Sequence, residues 1–216
     1  MKGIIFDLDG TMVDNMLVHH QAWQQKLKAL GLDLTMEEVR QQIHGVNEEI
    51  LLRLFGNRFT AEQRSQFAWE KEAEYRKIFK PTLQLITGLK EYLNHLHQLN
   101  IPLGIGSAAP KENVDFVIDN LNIRDYFKAV LHAGDVIKGK PDPEIYIKVA
   151  ETMNVPVSKC LVFEDSPTGV EAANRAGCPV VVVTTSHKES EFERFTNVIR
   201  FIDNFSSPDL LHVAEY

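Results

Sequence analysis

Asp7 and Asp9 stand two residues apart at the end of an apolar run, Ile4-Ile5-Phe6, and the turn residues Gly10-Thr11 follow. A carboxylate is costly to bury unless it is paired or bound to a metal. Two of them at the mouth of a buried strand call for a partner, and a hard cation suits oxygen ligands best. Three later segments carry related groups: Gly106-Ser107-Ala108-Ala109, Lys140 before Pro141, and Glu164-Asp165-Ser166. Clustered without a cation, Asp7, Asp9, Glu164 and Asp165 would repel one another, and some would be forced neutral. A divalent ion such as Mg²⁺, which takes few carboxylates and keeps its waters, resolves this. Ser107, the backbone N–H groups beside it and Lys140 are suited to hold a phosphate. A metal, a phosphate cradle and a spare carboxylate predict phosphoryl transfer, with one carboxylate as nucleophile and another as general acid/base.

These groups need a scaffold that brings strand ends together. Apolar runs at 3–6, 101–105, 129–132, 160–163 and 179–183, with a weaker one at 198–202, predict strands. Helical patterns at 113–121, 144–153 and 169–176 alternate with them, the last ended by Gly177. Continuous apolar strands separated by helices predict an α/β fold, a doubly wound parallel sheet with a Rossmann-like core. Ligands of such sheets bind beyond the carboxyl ends of the strands. Residues 15–80 show helical patterns and no strand. Thr35-x-x-Glu38 and Thr60-x-x-Gln63 read as capping boxes, and a helix of roughly 18 residues follows Thr60. Leu17, Leu27 and Leu30 suggest an amphipathic helix ended by Gly31, and Leu51, Leu52, Leu54 and Phe55 another. A crossover needs only about a dozen residues, so this stretch is an all-helical insertion. The expected division is a catalytic core of residues 1–14 and 82–216 and a helical cap of residues 15–81.

A 44% apolar and 25% charged chain of 216 residues has the composition of an ordinary globular protein. Its net charge of −7 and lack of a basic patch argue against a nucleic-acid partner. No signal peptide is evident, and no apolar run reaches the ~18 residues of a membrane span. Cys160 and Cys178 lie in or beside apolar runs and read as small buried hydrophobes. The expectation is a cytoplasmic enzyme, a monomer or weak homodimer, acting on a small molecule with no nucleic-acid or membrane partner.

Asp7-Leu8-Asp9-Gly10-Thr11 resembles the first motif of the haloacid dehalogenase-like hydrolases. Ser107, Lys140 in Gly-Lys-Pro-Asp-Pro, and Glu164-Asp165 resemble the second, third and fourth, in order and rough spacing. The inserted helical stretch fits the subgroup that holds β-phosphoglucomutase and many small phosphatases. The resemblance implies that Asp7 becomes an aspartyl-phosphate. It implies that Asp9 protonates the leaving oxygen, then activates water, and touches Mg²⁺ through its carbonyl. Asp165 and Glu164 would hold the ion with Asp7, and Ser107, Ala108 and Lys140 the phosphoryl group. The division of labour has a physical basis. A nucleophile must be ionised, which a lysine and a metal favour, whereas an acid needs distance from the cation or an apolar surrounding.

His19 and His20 open an insertion helix with Trp23 one turn beyond, so a half-buried helix face and a cleft-lining residue both fit. The subgroup points a histidine at the active site from this spacing, and His19 matches it better. Its mutases carry a basic pair in a cap segment that opens lysine-glycine-valine. The matching stretch here is His44-Gly45-Val46-Asn47-Glu48, with His44 at the lysine position and Glu48 at the arginine position. A carboxylate facing a distal phosphate is repulsive, which favours simple hydrolysis unless Arg40 or Arg53 substitutes. Glu48 could instead meet a second cation or sugar hydroxyls. Glu164-Asp165-Ser166-Pro167 also reads as a helix cap, and the acidic run 70–74 as a solvated helix face. Two other classes compete. Gly104-x-Gly106-x-x-Ala109 matches a loose dinucleotide fingerprint but leaves the acids unexplained. A phospho-acceptor signalling domain would cluster similar groups but has no use for a large insertion. The expected function is an Mg²⁺-dependent phosphatase of a small phosphorylated metabolite, with a phosphosugar mutase as the alternative.

Overall fold

The first apolar run forms β1 (Gly3–Phe6), every residue of it buried. The structure, a computed structural model, describes residues 2–207 and 210; residues 1, 208, 209 and 211–216 of the expected core lie outside these. Five further strands follow: β2 (Leu103–Gly106), β3 (Ala129–Leu131), β4 (Cys160–Glu164), β5 (Val180–Val183) and β6 (Val198–Ile202). They form one parallel sheet in the order β3-β2-β1-β4-β5-β6. The expected doubly wound α/β architecture is the one found, the weak sixth run included. Strand order reverses at β1, and open α/β sheets bind ligands at such a switch point.

The chain divides into two compact units, Met1–Asp14 with Gln84–Tyr216, and Asn15–Leu83. In the first, α5 (Leu89–Gln98), α6 (Lys111–Asn120), α7 (Glu144–Met153) and α8 (Pro167–Arg175) accompany the sheet. Helix α5 was not expected from the sequence, although Leu89, Tyr92, Leu93 and Leu96 give it a buried face at helical spacing. Its end also explains why β2 begins at Leu103: Ile101 N–H is used by the Leu96 carbonyl of that helix. Helix α8 begins at Pro167, with Ser166 capping the Gly169 N–H. On one sheet face Ile5, Val162 and Val180 pack with Ile145, Tyr146 and Val149 of α7. On the other, Phe6 stacks on Phe163 at 5.0 Å, and Tyr92 meets Phe163 edge-on at 5.7 Å. Such aromatic pairs add about 1 kcal/mol each beyond area burial.

Gly104 and Gly106 of the fingerprint-like stretch serve packing. A Cβ on Gly104 would overlap Val149 of α7, and one on Gly106 would lie 3.3 Å from Ile145. The two chain passages at the insertion are tied together, because Ile86 N–H donates to the Met12 carbonyl at 2.9 Å.

The second unit holds α1 (Met16–Ala29), α2 (Met36–Gln42), α3 (Asn47–Phe55) and α4 (Ala61–Phe79). Both capping boxes form, Thr35 with Glu38 and Thr60 with Gln63. Gly31 takes the left-handed conformation (φ 90°) that stops α1. Trp23, Leu27, Val39, Ile50 and Leu51 make its core. Two expectations are corrected. Leu17 points outward, 57% exposed, because α1 turns Ala22, Trp23 and Leu27 inward instead. The acidic run 70–74 is not a solvated face. The inward face of α4 is Ala68, Lys71, Glu72, Tyr75 and Phe79, so charged residues occupy core positions of the helical repeat. They do so because each is paired: Lys71 Nζ lies 2.8 Å from Glu72 Oε1. Glu70, on the flank, meets Lys26 of α1 at 2.7 Å. No helix among the described residues is long and apolar enough to cross a membrane.

Candidate active site

Side chains alternate along a strand, so Asp7 shares the Ile5 face of β1, the face that α7 covers. The register Phe6↔Phe163 puts Asp7 beside Glu164 at the end of β4, and Asp7 N–H closes the ladder on the Phe163 carbonyl. Past Asp7 the chain curls: the Leu8 carbonyl receives the N–H groups of Thr11, Met12 and Val13. Gly10 makes the turn at φ 78°, where a Cβ would overlap the Asp165 carboxylate. That glycine is required twice, for its backbone angle and for the close approach.

Lys140 enters this corner from the loop before α7, its peptide bond to Pro141 cis. Its Nζ lies 2.6 Å from Asp7 Oδ1 and 2.7 Å from Glu164 Oε1, with the side chain 7% exposed. The ammonium also sits 4.9 Å from the Tyr146 ring centre, and Tyr146 Oη donates to Glu164 Oε1 at 2.9 Å. Glu164 Oε2 accepts the N–H groups of Asp165 and Ser166 and the Ser166 hydroxyl. A Cβ on Gly169 would overlap this carboxylate, so α8 must begin with a bare backbone there. The capping expectation for this segment holds alongside its place in the cluster. Carboxylate oxygens of Asp7, Glu164 and Asp165 all lie within 4.8 Å of one another, and all three residues are buried.

The charges do not balance: among the described residues, Lys140 is the one ammonium hydrogen-bonded to this group of three buried carboxylates. Burial pushes the Asp7 carboxyl up to about 7; Lys140 pulls against this and Glu164 adds to it. Burial, then Glu164 and Asp7, push Asp165 well above the carboxylate range. Burial would lower Lys140, but Asp7 and Glu164 outweigh it and hold the ammonium firmly protonated. Burial would raise Glu164, but Lys140 outweighs that and holds it down. An all-oxygen, acid-rich corner of this kind fits a hard divalent cation.

Ser107 is buried at the end of β2, where its Oγ receives the Ala109 N–H at 3.0 Å, leaving Ala108 exposed at the tip of the loop. Asp9 is half-buried one turn beyond Asp7. In the second unit His19 stacks on Tyr75 at 3.9 Å and places Nδ1 3.1 Å from Lys71 Nζ. Glu72 joins them, 4.0 Å from His19 and 2.7 Å from Asn47 Nδ2. Lys71 and its neighbours hold Glu72 down at about 2, against the burial that would raise it. His44 is exposed, and Glu48 lies in the first turn of α3. Arg53 donates to the Gln42 and His44 carbonyls at 2.7 and 3.1 Å.

Sequence reasoning missed Tyr146, Lys71, Glu72 and the polar run Thr184-Thr185-Ser186-His187 after β5. Two signals were present. A tyrosine on a buried helix face needs a hydroxyl partner, and a polar run at a strand's carboxyl end lies where open sheets build sites. A separate groove of about 380 Å³ is lined by Thr168, Glu171, Arg175 and Arg194 and holds none of the clustered carboxylates.

A family model described as haloacid dehalogenase-like hydrolase matches residues 1–177. A phosphorylated carbohydrates phosphatase of Thermotoga maritima is 32% identical over 181 residues, covering 82% of each chain. A β-phosphoglucomutase of Bacillus subtilis is 27% identical over 82% of this chain and 80% of its own. The crystal structure of a HAD hydrolase, family IA, variant 3, from Entamoeba histolytica aligns with a TM-score of 0.88 at 24% identity, over 98% of this chain and 97% of that one. The chain belongs to the haloacid dehalogenase-like hydrolases.

Proposed function

We propose that this protein is an Mg²⁺-dependent phosphatase of a small phosphorylated metabolite, a sugar phosphate by class, working in the cytoplasm. The observation that carries the reading is the buried corner in which Lys140 bridges Asp7 and Glu164 beside Asp165. Asp7, the Asp9 carbonyl, Glu164 and Asp165 would hold Mg²⁺, which when bound offsets their charge and polarises phosphoryl oxygens. Both Glu164 oxygens already accept protein donors, so its share in the ion is mainly one of charge. Lys140 pulls Asp7 toward the ionised form that attack needs, as a bound cation would, and with Ser107 and the Ala108 backbone receives the transferring phosphoryl group. Asp7 forms a bond to phosphorus as the ester bond breaks, and Asp9 gives its proton to the departing oxygen. Asp9 then takes a proton from water as that water displaces Asp7 and releases inorganic phosphate.

His19, His44 and Glu48 are assigned to substrate recognition from the insertion. Hydrolysis is preferred to mutase chemistry because Glu48 stands where the mutase subgroup has arginine. Arg53, one candidate substitute, is occupied with backbone carbonyls. The Thermotoga relative's name supports a carbohydrate phosphate as substrate.

Asp7→Asn tests the assignment: turnover of p-nitrophenyl phosphate should fall at least about 10³-fold, and undiminished turnover would overturn it. Phosphate release across a panel of sugar phosphates identifies the substrate. Conversion of β-glucose 1-phosphate to its 6-phosphate without free phosphate, given a trace of the bisphosphate, would establish the mutase instead.

A further inference from the structure

We infer that the loop Thr185-Ser186-His187 after β5 is a positioning element of this active site, and that Ser186 fixes the Asp165 carboxylate in the orientation that a cation needs. The inference rests on the Mg²⁺ reading above. Three contacts carry it. Thr185 Oγ1 donates to the Gly10 carbonyl. Ser186 Oγ and Asp165 Oδ2 crowd the same point beside Gly10, 2.9 and 2.1 Å from where its Cβ would stand, which puts the hydroxyl against the carboxylate. His187 Nδ1 lies 3.1 Å from the Asp165 backbone carbonyl and so carries the proton. The loop therefore touches both the turn that follows Asp7 and the residue that follows Glu164.

The need for such a clamp follows from the sheet and from the charges. Paired strands hold β1 and β4 in register as far as Phe6 and Phe163, and the bond from Asp7 N–H to Phe163 is the last rung. Gly10 and Asp165 lie beyond the ladder. Asp165 also sets a carboxylate oxygen within 4.8 Å of those of Asp7 and Glu164, and the three repel one another once ionised. Without a tether its carboxylate is driven to rotate away from them, which would disperse the oxygens a cation must bridge. A hydroxyl donor on Asp165 opposes that rotation and leaves the remaining lone pairs available. His187 pins the peptide behind it, and its own ring is braced edge-on against Phe192 at 6.2 Å. The loop is rooted in the sheet by Thr184, whose N–H and hydroxyl both reach the Ile202 carbonyl of β6.

The test is isothermal titration of the full metal-free chain with Mg²⁺ alone, beside thermal melting. Residues that orient metal ligands typically change metal affinity by roughly 10–100-fold when removed. Ser186→Ala should raise the Mg²⁺ dissociation constant about tenfold, at the low end of that range. Ser186→Cys, which keeps the shape with a poorer donor, should fall between parent and alanine and guards against a folding defect. Thr184→Val removes a hydroxyl of the same loop that faces β6, and should lower the melting temperature with the Mg²⁺ constant unchanged. An Mg²⁺ constant that Ser186→Ala leaves at the parent value would overturn the inference. So would an equal rise in Thr184→Val, which would mean that the loop acts only by general stability. A parent that binds no Mg²⁺ would sink the metal reading first and this inference with it.

Discussion

Each unit buries a lysine among acids, and the two clusters behave oppositely. In the sheet unit Lys140 is set against Asp7, Glu164 and Asp165, and burial with mutual repulsion drives Asp7 and Asp165 upward. In the helical unit Lys71 faces Glu72 at 2.8 Å, helped by Asn47, and Glu72 is driven downward. Similar residue types at similar burial thus give an acid-rich corner in one place and a settled ion pair in the other. Breaking a buried pair is expensive because the abandoned charge stays buried. On the proposed function, a cation and a phosphate would restore the balance in the acid-rich corner. The imbalance, rather than the burial, distinguishes the candidate site from the ion pair of the helical unit.

Removing Lys140 should give the largest loss. Lys140→Ala should cost about 3–5 kcal/mol in urea denaturation of metal-free protein near neutral pH, and should abolish turnover. Part of the stability should return on acidification, which neutralises the stranded carboxyls. Glu72→Gln comes next, at on the order of 3 kcal/mol near neutral pH, since about 2.5 pKa units separate its buried and ordinary values. A cost for Glu72→Gln equal to that of Lys140→Ala, with turnover equally lost, would erase the distinction between the clusters.

The pH response should differ in sign. Asp7 is held at about 7 against an ordinary 3.8, so its ionisation opposes folding. Metal-free protein should therefore lose stability as pH rises across that interval, and saturating Mg²⁺ should remove the loss. Glu72 is held at about 2 against an ordinary 4.5, so its contribution is full above the upper value and lost as pH falls through the lower. Urea midpoints of parent, Asp7→Asn and Glu72→Gln at several pH values, with chelator and then with Mg²⁺, separate the two. A pH slope that Asp7→Asn leaves intact would show that Asp7 is not its source. The smallest effect belongs to neither cluster. Thr60→Ala, which breaks an exposed capping box, should cost about 1 kcal/mol and leave kcat for p-nitrophenyl phosphate unchanged.

The sheet and the Lys140 corner were legible because strand ends announce themselves. An apolar run that stops abruptly at Asp7, or at Glu164-Asp165, marks both an element and a polar corner in one dimension. The Lys71–Glu72 cluster was illegible for the converse reason. Charges at inward helical positions look like a wet face until a partner on another helix is known, and that partner, His19, lies 52 residues away. Tyr146 went unnoticed because its hydroxyl's partner sits on a strand 18 residues later. The run after β5 was passed over because threonine and serine are ordinary turn residues, and only the fold sets them beside Gly10 and Asp165. Helix α5 was missed although its own spacing held the signal.

The clasp between Met12 and Ile86 gives the insertion a property of its own. Because one backbone bond joins its two stems inside the sheet unit, the seventy-odd intervening residues form a closed excursion whose cost to the sheet barely depends on their content. Loop closure entropy grows so slowly that doubling such an excursion costs only about 0.6 kcal/mol. The segment between the stems is therefore held as if in parentheses: evolution or an engineer can lengthen it or exchange it while the strand register outside stays as it was.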